Sequence, residues 1–184
     1  NNITIWYDQL ARHMEVLDEE LVNRIKEQGL FDKLILNWWK YSPNVPETIR
    51  PELGLRTFVC PMTGYFFWMN YQSYLLNIYR MLKLGYEQGS EGSEAYCTFD
   101  YSFHRNKFCL AEYSWNQKKT GTLDDFREKY IKGLFGADAE VARDAFDHFD
   151  KVVERDGLGT IVNSTLIYYR YSYEIGRASC RERV

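Results

Sequence analysis

Four side chains stand where strand-like runs of this sequence give way to other structure. Asp8 follows Ile3–Tyr7, Trp38 closes Lys33–Trp38, Tyr65 follows Arg56–Cys60, and Asp100 follows Ala95–Phe99. A carboxylate accepts hydrogen bonds from hydroxyls or moves a proton. An indole or phenol lays an apolar face against a ring while its N–H or O–H keeps a polar handle. Sugar rings, apolar on their CH faces and polar at their hydroxyl edges, suit such a lining. Aromatic residues make up 17% of the chain, and many gather at these ends, among them Trp6, Trp39, Tyr41 and Trp68. For any one of them ordinary packing competes with sugar binding, and Trp39 and Trp68 are expected in the core or at a pocket rim. The two aspartates also permit a different chemistry, with Asp8 and Asp100 as the acid and base of a two-carboxylate glycosidase. Their separation would then be about 5–5.5 Å for a retaining enzyme or about 6.5–9.5 Å for an inverting one.

Other chemistries find little footing. His13, His104 and His148 are scattered, and neither CxxC nor HExxH occurs, so no metal is expected. No GxGxxG or GxxxxGK loop follows a strand, and no cofactor is called for. Cys60, Cys97 and Cys109 sit in apolar surroundings and read as buried free thiols. The formal charge of −3 comes with no basic patch, which argues against a nucleic-acid partner. No apolar run approaches the roughly 20 residues of a membrane span, so no membrane partner is expected either. The expected partner is a carbohydrate substrate.

The strand-like runs need helices to hold them. Asp18 to Gln28 carries Leu21, Val22 and Ile25 among charges and stops at Gly29, as a helix C-terminus should. Lys33–Trp38 is a continuous apolar run of the buried parallel kind. Pro43, Pro46 and Pro51 then mark a loop, and Pro61 ends the third run. Tyr71, Tyr74, Leu75, Ile78, Tyr79, Leu82 and Tyr86 repeat at helical spacing, with Asn77, Arg80 and Lys83 off that face. Gly89–Ser93 reads as the loop before the fourth strand, Ala95–Phe99, and a helix follows over about Arg105–Trp115. Thr122 and Asp125 are placed as a cap for a helix with Leu123, Phe126, Tyr130 and Leu134 on its apolar stripe, ending at Gly136. Asp138 is placed to cap the next, whose stripe is Val141, Ala142, Ala145, Phe146, Phe149 and Val152. Leu158–Tyr173 is apolar and tyrosine-rich, and Asn163-Ser164-Thr165 fits a glycosylation acceptor. Repeated strand–helix units with buried strands predict a parallel α/β architecture. Functional side chains at the carboxyl ends of strands are the habit of a (β/α)8 barrel, of which four units would be half.

Both ends of the chain are expected to be cut. Ile175–Val184 is, codon for codon, the translation of a common short-read sequencing adapter, and it is set aside before reasoning about fold. Without the three arginines and one glutamate of that tail, the charge is −5. The chain opens at Asn1 without a methionine and is nearly in a strand already. The organisation read from this is a half-barrel over 1–116, a helical extension over 117–174 and the foreign tail over 175–184. Half a closed barrel would expose strand edges, so self-association is expected.

Over most of Ile3–Trp115 the sequence resembles the C-terminal half of the barrel in glycoside hydrolase family 20, the β-N-acetylhexosaminidases. Trp6-Tyr7-Asp8-Gln9-Leu10 is similar to the Trp-Asp-Glu ending the family's fifth strand, and Leu34-Ile35-Leu36-Asn37-Trp38 to its sixth. Gly54-Leu55-Arg56-Thr57-Phe58-Val59-Cys60 with Tyr65 resembles the seventh strand and its loop. Cys97-Thr98-Phe99-Asp100 departs from the family's Trp-Thr-Glu, whereas Leu110-Ala111-Glu112-Tyr113-Ser114-Trp115-Asn116 keeps the Ala-Glu-x-x-Trp of the following helix. The resemblance implies a substrate-assisted retaining hydrolase in which the substrate's acetamido oxygen is the nucleophile. The catalytic Asp-Glu pair of that scheme follows the fourth strand and would precede Asn1, so this chain alone would be inactive. By position, Tyr65 would bond the acetamido oxygen, Trp38 would wall its methyl group, and Asp100 would take hydroxyl hydrogens. Asp8 would join the pocket, and Glu112, outside the barrel, would form a structural ion pair. The alternatives are a two-carboxylate barrel of another family, such as the α-glucuronidases, or a carbohydrate-binding barrel without catalysis.

Overall fold

Residues 34–39 read LILNWW, and both alternating faces of this run are out of solvent from Leu34 to Trp38, as in a central parallel strand. In the computed structural model it lies second in a four-stranded parallel sheet whose spatial order is the order of the chain. The strands are β1 (Ile3–Trp6), β2 (Leu34–Trp39), β3 (Arg56–Cys60) and β4 (Gly92–Ser93). The structure describes residues 1–7, 18–41, 44–45, 54–64, 74–96 and 103–155. Its helices are α1 (Glu19–Glu27), α2 (Leu75–Glu87), α3 (His104–Trp115), α4 (Leu123–Phe135) and α5 (Ala139–Arg155). The chain is an α/β protein built on a parallel sheet. Among the described residues, no helix is long and apolar enough to cross a membrane.

Register separates the two faces of the sheet, because side chains alternate along each strand. Ile5 opposes Leu36, and both pack with Val22 and Ile25 of α1. Trp38 opposes Val59 on the same side, and both join Leu75, Ile78, Met81 and Leu82 of α2. Both helices therefore cover one face. On the other, Trp6, Asn37, Phe58 and Gly92 form one row across the four strands, and Trp39 and Cys60 begin the next.

Local chemistry sets the helix ends. Asp18 accepts the Leu21 N–H at 2.8 Å to open α1, and Gly29 leaves it at φ 66°, a conformation glycine takes without steric cost. Thr122 and Asp125 form a reciprocal capping box at the start of α4, and those bonds hold the Asp125 carboxyl below its ordinary range. A 3-10 turn, Gly136–Asp138, runs directly into α5, so Asp138 belongs to that turn instead of standing outside a new helix. Arg56 ties the amino ends of the strands together: its guanidinium grips Glu91 and donates to the Asp32 carbonyl and to Asn2.

Several expected faces turn out differently. Tyr86 is 50% exposed while Asn77 is buried, because α2 meets the sheet along Ile78, Met81, Leu82 and Gly85. Leu134 and Val141, expected on apolar stripes, are 49% and 75% exposed, and Ala145 is exposed as well. Pairing of the fourth strand starts at Gly92, inside the expected loop and three residues before the expected Ala95. Gly92 sits close to the Phe58 ring: a Cβ on it would come within 3.1 Å, so the ring would have to shift by a few tenths of an ångström.

Gly85 is where α2 comes closest to β3: a Cβ on it would lie 2.8 Å from both methyls of Val59. Gly85→Ala gains about 1 kcal/mol of helix propensity. It also crowds a side chain that is stiff at χ1, and overpacking costs about 1–3 kcal/mol. We expect a net loss of about 1 kcal/mol in a urea titration, and a gain instead when Gly85→Ala is made in a Val59→Ala background. A gain in stability from Gly85→Ala alone would contradict this packing.

Candidate functional site

In a parallel sheet, the carboxyl ends of the strands are where ligands are usually met, and here the backbone at those ends is unusual. Glu94 donates its N–H to the Val59 carbonyl at 3.0 Å, Tyr96 donates to Pro61 at 3.3 Å, and Thr63 donates back to Tyr96 at 3.0 Å. The chain thus runs beside β3 from Gly92 to the Met62–Tyr96 bridge. Proline has no N–H, so Pro61 cannot return a bond to Glu94, and the regular ladder stops at Ser93. This register sets the Glu94 side chain on the face of Asn37 and Phe58, in the row begun by Trp39 and Cys60.

The Glu94 carboxylate is exposed, yet it is held from below. Asn37 Nδ2 donates to Glu94 Oε2 at 2.5 Å, and Asn37 itself is 1% exposed. Asn37 Oδ1 is buried and has no partner among the described residues. A buried amide oxygen without a partner costs about 1–3 kcal/mol, so packing alone does not explain an asparagine here. Holding Glu94 does. Aromatic rings continue beside the pair: Trp39 and Tyr41 lie 4.5 Å apart between centroids, and Tyr41 and Tyr96 lie 6.3 Å apart.

Two more asparagines fix the end of the sheet on which this pair stands. Asn77, on α2, accepts the Met62 N–H at 3.0 Å and donates to the Lys40 carbonyl at 2.6 Å. Asn106, on α3, accepts the Tyr74 N–H at 3.3 Å and donates to the Thr63 carbonyl at 3.2 Å. Both are 1% exposed. Between them they anchor the chain leaving β2, the chain leaving β3 and the entry to α2. Helix α4 lies against α3 through rings, with His104 Nδ1 and Tyr130 Oη 3.1 Å apart and the Tyr113 and Phe126 centroids 6.1 Å apart.

Of the residues expected to form a pocket, Asp8, Tyr65 and Asp100 lie outside the described residues, as do Trp68 and Cys97. Trp38 is described, and it is 7% exposed within the α2 cluster, with its ring centroid 6.5 Å from that of Tyr7. The face that carries Asn37 and Glu94 instead presents Trp39, which is half-buried. Glu112 is paired with Lys129 of α4. Cys60 and Cys109 are buried free thiols, and burial pushes the Cys60 thiol up to about 11. Among the described residues, no three His, Cys, Asp or Glu side chains gather in a way that could hold a metal ion.

Sequence reasoning passed over Glu94 and Asn37. For Asn37 a signal was available: it is the single polar residue in the apolar run Leu34–Trp39. A polar side chain inside a buried strand needs a partner. Glu94 falls between the expected loop, Gly89–Ser93, and the expected strand, Ala95–Phe99, of which residues 97–99 lie outside the described residues.

The class of protein defined by the described residues is an α/β protein with α1 and α2 on one face of a parallel sheet and a polar pair, Asn37 and Glu94, at the carboxyl ends of its strands. No family model, no curated protein and no solved structure matches the chain.

Proposed function

We propose that residues 1–116 are the C-terminal half of a (β/α)8 barrel, with 117–174 a helical extension, and that the parent protein is a glycoside hydrolase. Its substrate in this reading is a β-linked N-acetylhexosamine or a related glycoside, cleaved by the substrate-assisted retaining route. The sequential strand order, with α1 and α2 on one face, supports the barrel. A doubly wound sheet reverses its strand order and covers both faces with helices, whereas a barrel does neither.

The observation that carries the sugar reading is Glu94. It is an exposed carboxylate at a strand's carboxyl end, positioned by a buried amide and sharing its face with Trp39. Such a carboxylate accepts hydroxyl hydrogens, and a neighbouring indole offers a face for the ring's CH groups. Trp39 takes the stacking role in this reading, since Trp38 is spent in the α2 cluster. Tyr65, Asp100 and Asp8 remain pocket candidates from the resemblance. The general acid and the carboxylate that orients the acetamido group would precede Asn1.

The full-length gene product is expected to release the aryl group from an aryl β-N-acetylglucosaminide, and the 184-residue chain is not. Cleavage of a different glycoside alone would remove the substrate assignment. Sugar binding by the full-length product without hydrolysis of any glycoside would leave a non-catalytic binding barrel.

A further inference from the structure

We infer that Glu94 and Asn37 form an acceptor-only subsite, one that selects an uncharged sugar offering hydroxyl hydrogens and rejects a sugar carrying a carboxylate at that position. The inference rests on the carbohydrate reading above and adds a polarity requirement to it.

The chemistry follows from what the pair has left to give. An ionised carboxylate has no hydrogens and about four lone-pair sites on its two oxygens. One amide hydrogen of Asn37 occupies one such site, and Asn37 is the partner of Glu94 among the described residues. What remains toward solvent is a set of acceptors bearing a negative charge. Two adjacent hydroxyls can each donate to a carboxylate, one to each oxygen. A uronate or other acid in the same place would bring a second negative charge and no hydrogen.

The pair is also preorganised. A glutamate at a strand end ordinarily samples several rotamers, and ordering them on binding costs affinity. Here a side chain that is 1% exposed fixes the carboxylate beforehand. The amide nitrogen of Asn37 is turned to the Glu94 carboxylate from inside the sheet. Asn37 is the positioning residue, and Glu94 reads the ligand.

Saturation-transfer NMR on the 184-residue protein, which tolerates self-association, tests this with N-acetylglucosamine and glucuronic acid as probes. Wild type is expected to take up the neutral sugar and to bind the acid at least tenfold more weakly. Glu94→Gln, a change at an exposed position, should weaken the neutral sugar about tenfold and bring the two probes to similar affinity. Asn37→Leu should also weaken the neutral sugar but should keep the preference, because the charge stays; circular dichroism checks that this variant folds. If wild type bound both probes equally, or if Glu94→Gln left their ratio unchanged, the inference would be overturned while the carbohydrate reading stood. Transfer to neither sugar at tens of millimolar would also overturn the inference, while the carbohydrate reading is decided separately by the full-length gene product and its glycoside substrates.

Discussion

Replacing Asn77 with leucine is expected to cost about 2–4 kcal/mol, a large share of the stability of a domain this size. The side chain is 1% exposed, and it satisfies two backbone groups that have left the sheet ladder, the Met62 N–H and the Lys40 carbonyl. Leucine keeps the branched shape, is somewhat bulkier, and offers neither a donor nor an acceptor. Each orphaned buried group then carries a desolvation penalty of about 1–3 kcal/mol. The measurement is a urea midpoint followed by far-ultraviolet circular dichroism, and an unchanged midpoint would mean that water or another group serves both atoms. Asn106→Leu should behave alike, since Asn106 holds the adjacent Thr63 carbonyl and the Tyr74 N–H. The double variant should lose less than the sum of the two, because both anchors secure the same turn after β3.

The second large effect is alkaline. Burial lifts the Cys60 thiol from 9.0 to about 11 and lifts Cys109 as well. Only the thiolate reacts with a disulfide reagent. Near pH 8.5, native Cys60 should therefore react about a hundredfold more slowly than in urea from ionisation alone, and more slowly still for lack of access. Mass-spectrometric mapping of each labelled thiol reads this directly. The same shift bears on stability. A thiol whose pKa is raised by folding contributes its full stabilisation below the unfolded value of 9.0, and that contribution fades as pH climbs toward about 11. Burial also raises the Tyr113 and Tyr130 hydroxyls above their ordinary 10.0, which extends the decline upward. A urea midpoint that holds level from pH 8.5 to 11 would refute this. Cys60→Ala should flatten the first part of the fall.

Much of the frame was legible because short-range chemistry wrote it. Asp18 and Gly29 bracket α1, Thr122 and Asp125 cap α4, and Arg56–Cys60 is strand over the span that its sequence predicts. The errors came where tertiary contact overrode local pattern. Tyr86 looked like part of an apolar stripe, but the approach of Gly85 to Val59 rotates α2 so that Tyr86 faces outward. Asn77 looked solvated, yet the carbonyl and amide left at two strand ends needed a partner that only a polar side chain on α2 could supply. Gly92 and Ser93 carry turn-forming residue types, and nothing local shows that they pair with Phe58 and Val59. The parity of β2 was readable in principle: Leu34, Leu36 and Trp38 alternate with Ile35, Asn37 and Trp39, and one polar residue marks the second set.

That alternation bears on how such a protein could change over generations. Leu36, Trp38 and Val59 look toward the helices, while Trp39 and Glu94 belong to the opposite side of the same strands. A substitution at Glu94 alters what the sheet meets at its carboxyl end and leaves the helix contacts untouched, whereas one at Trp39 also gives up its ring contact with Tyr41. Mutational drift can thus change Glu94 with little penalty to folding. Asn37 is the exception, since it ties that carboxylate to the interior, and it should be the slowest of the three to vary.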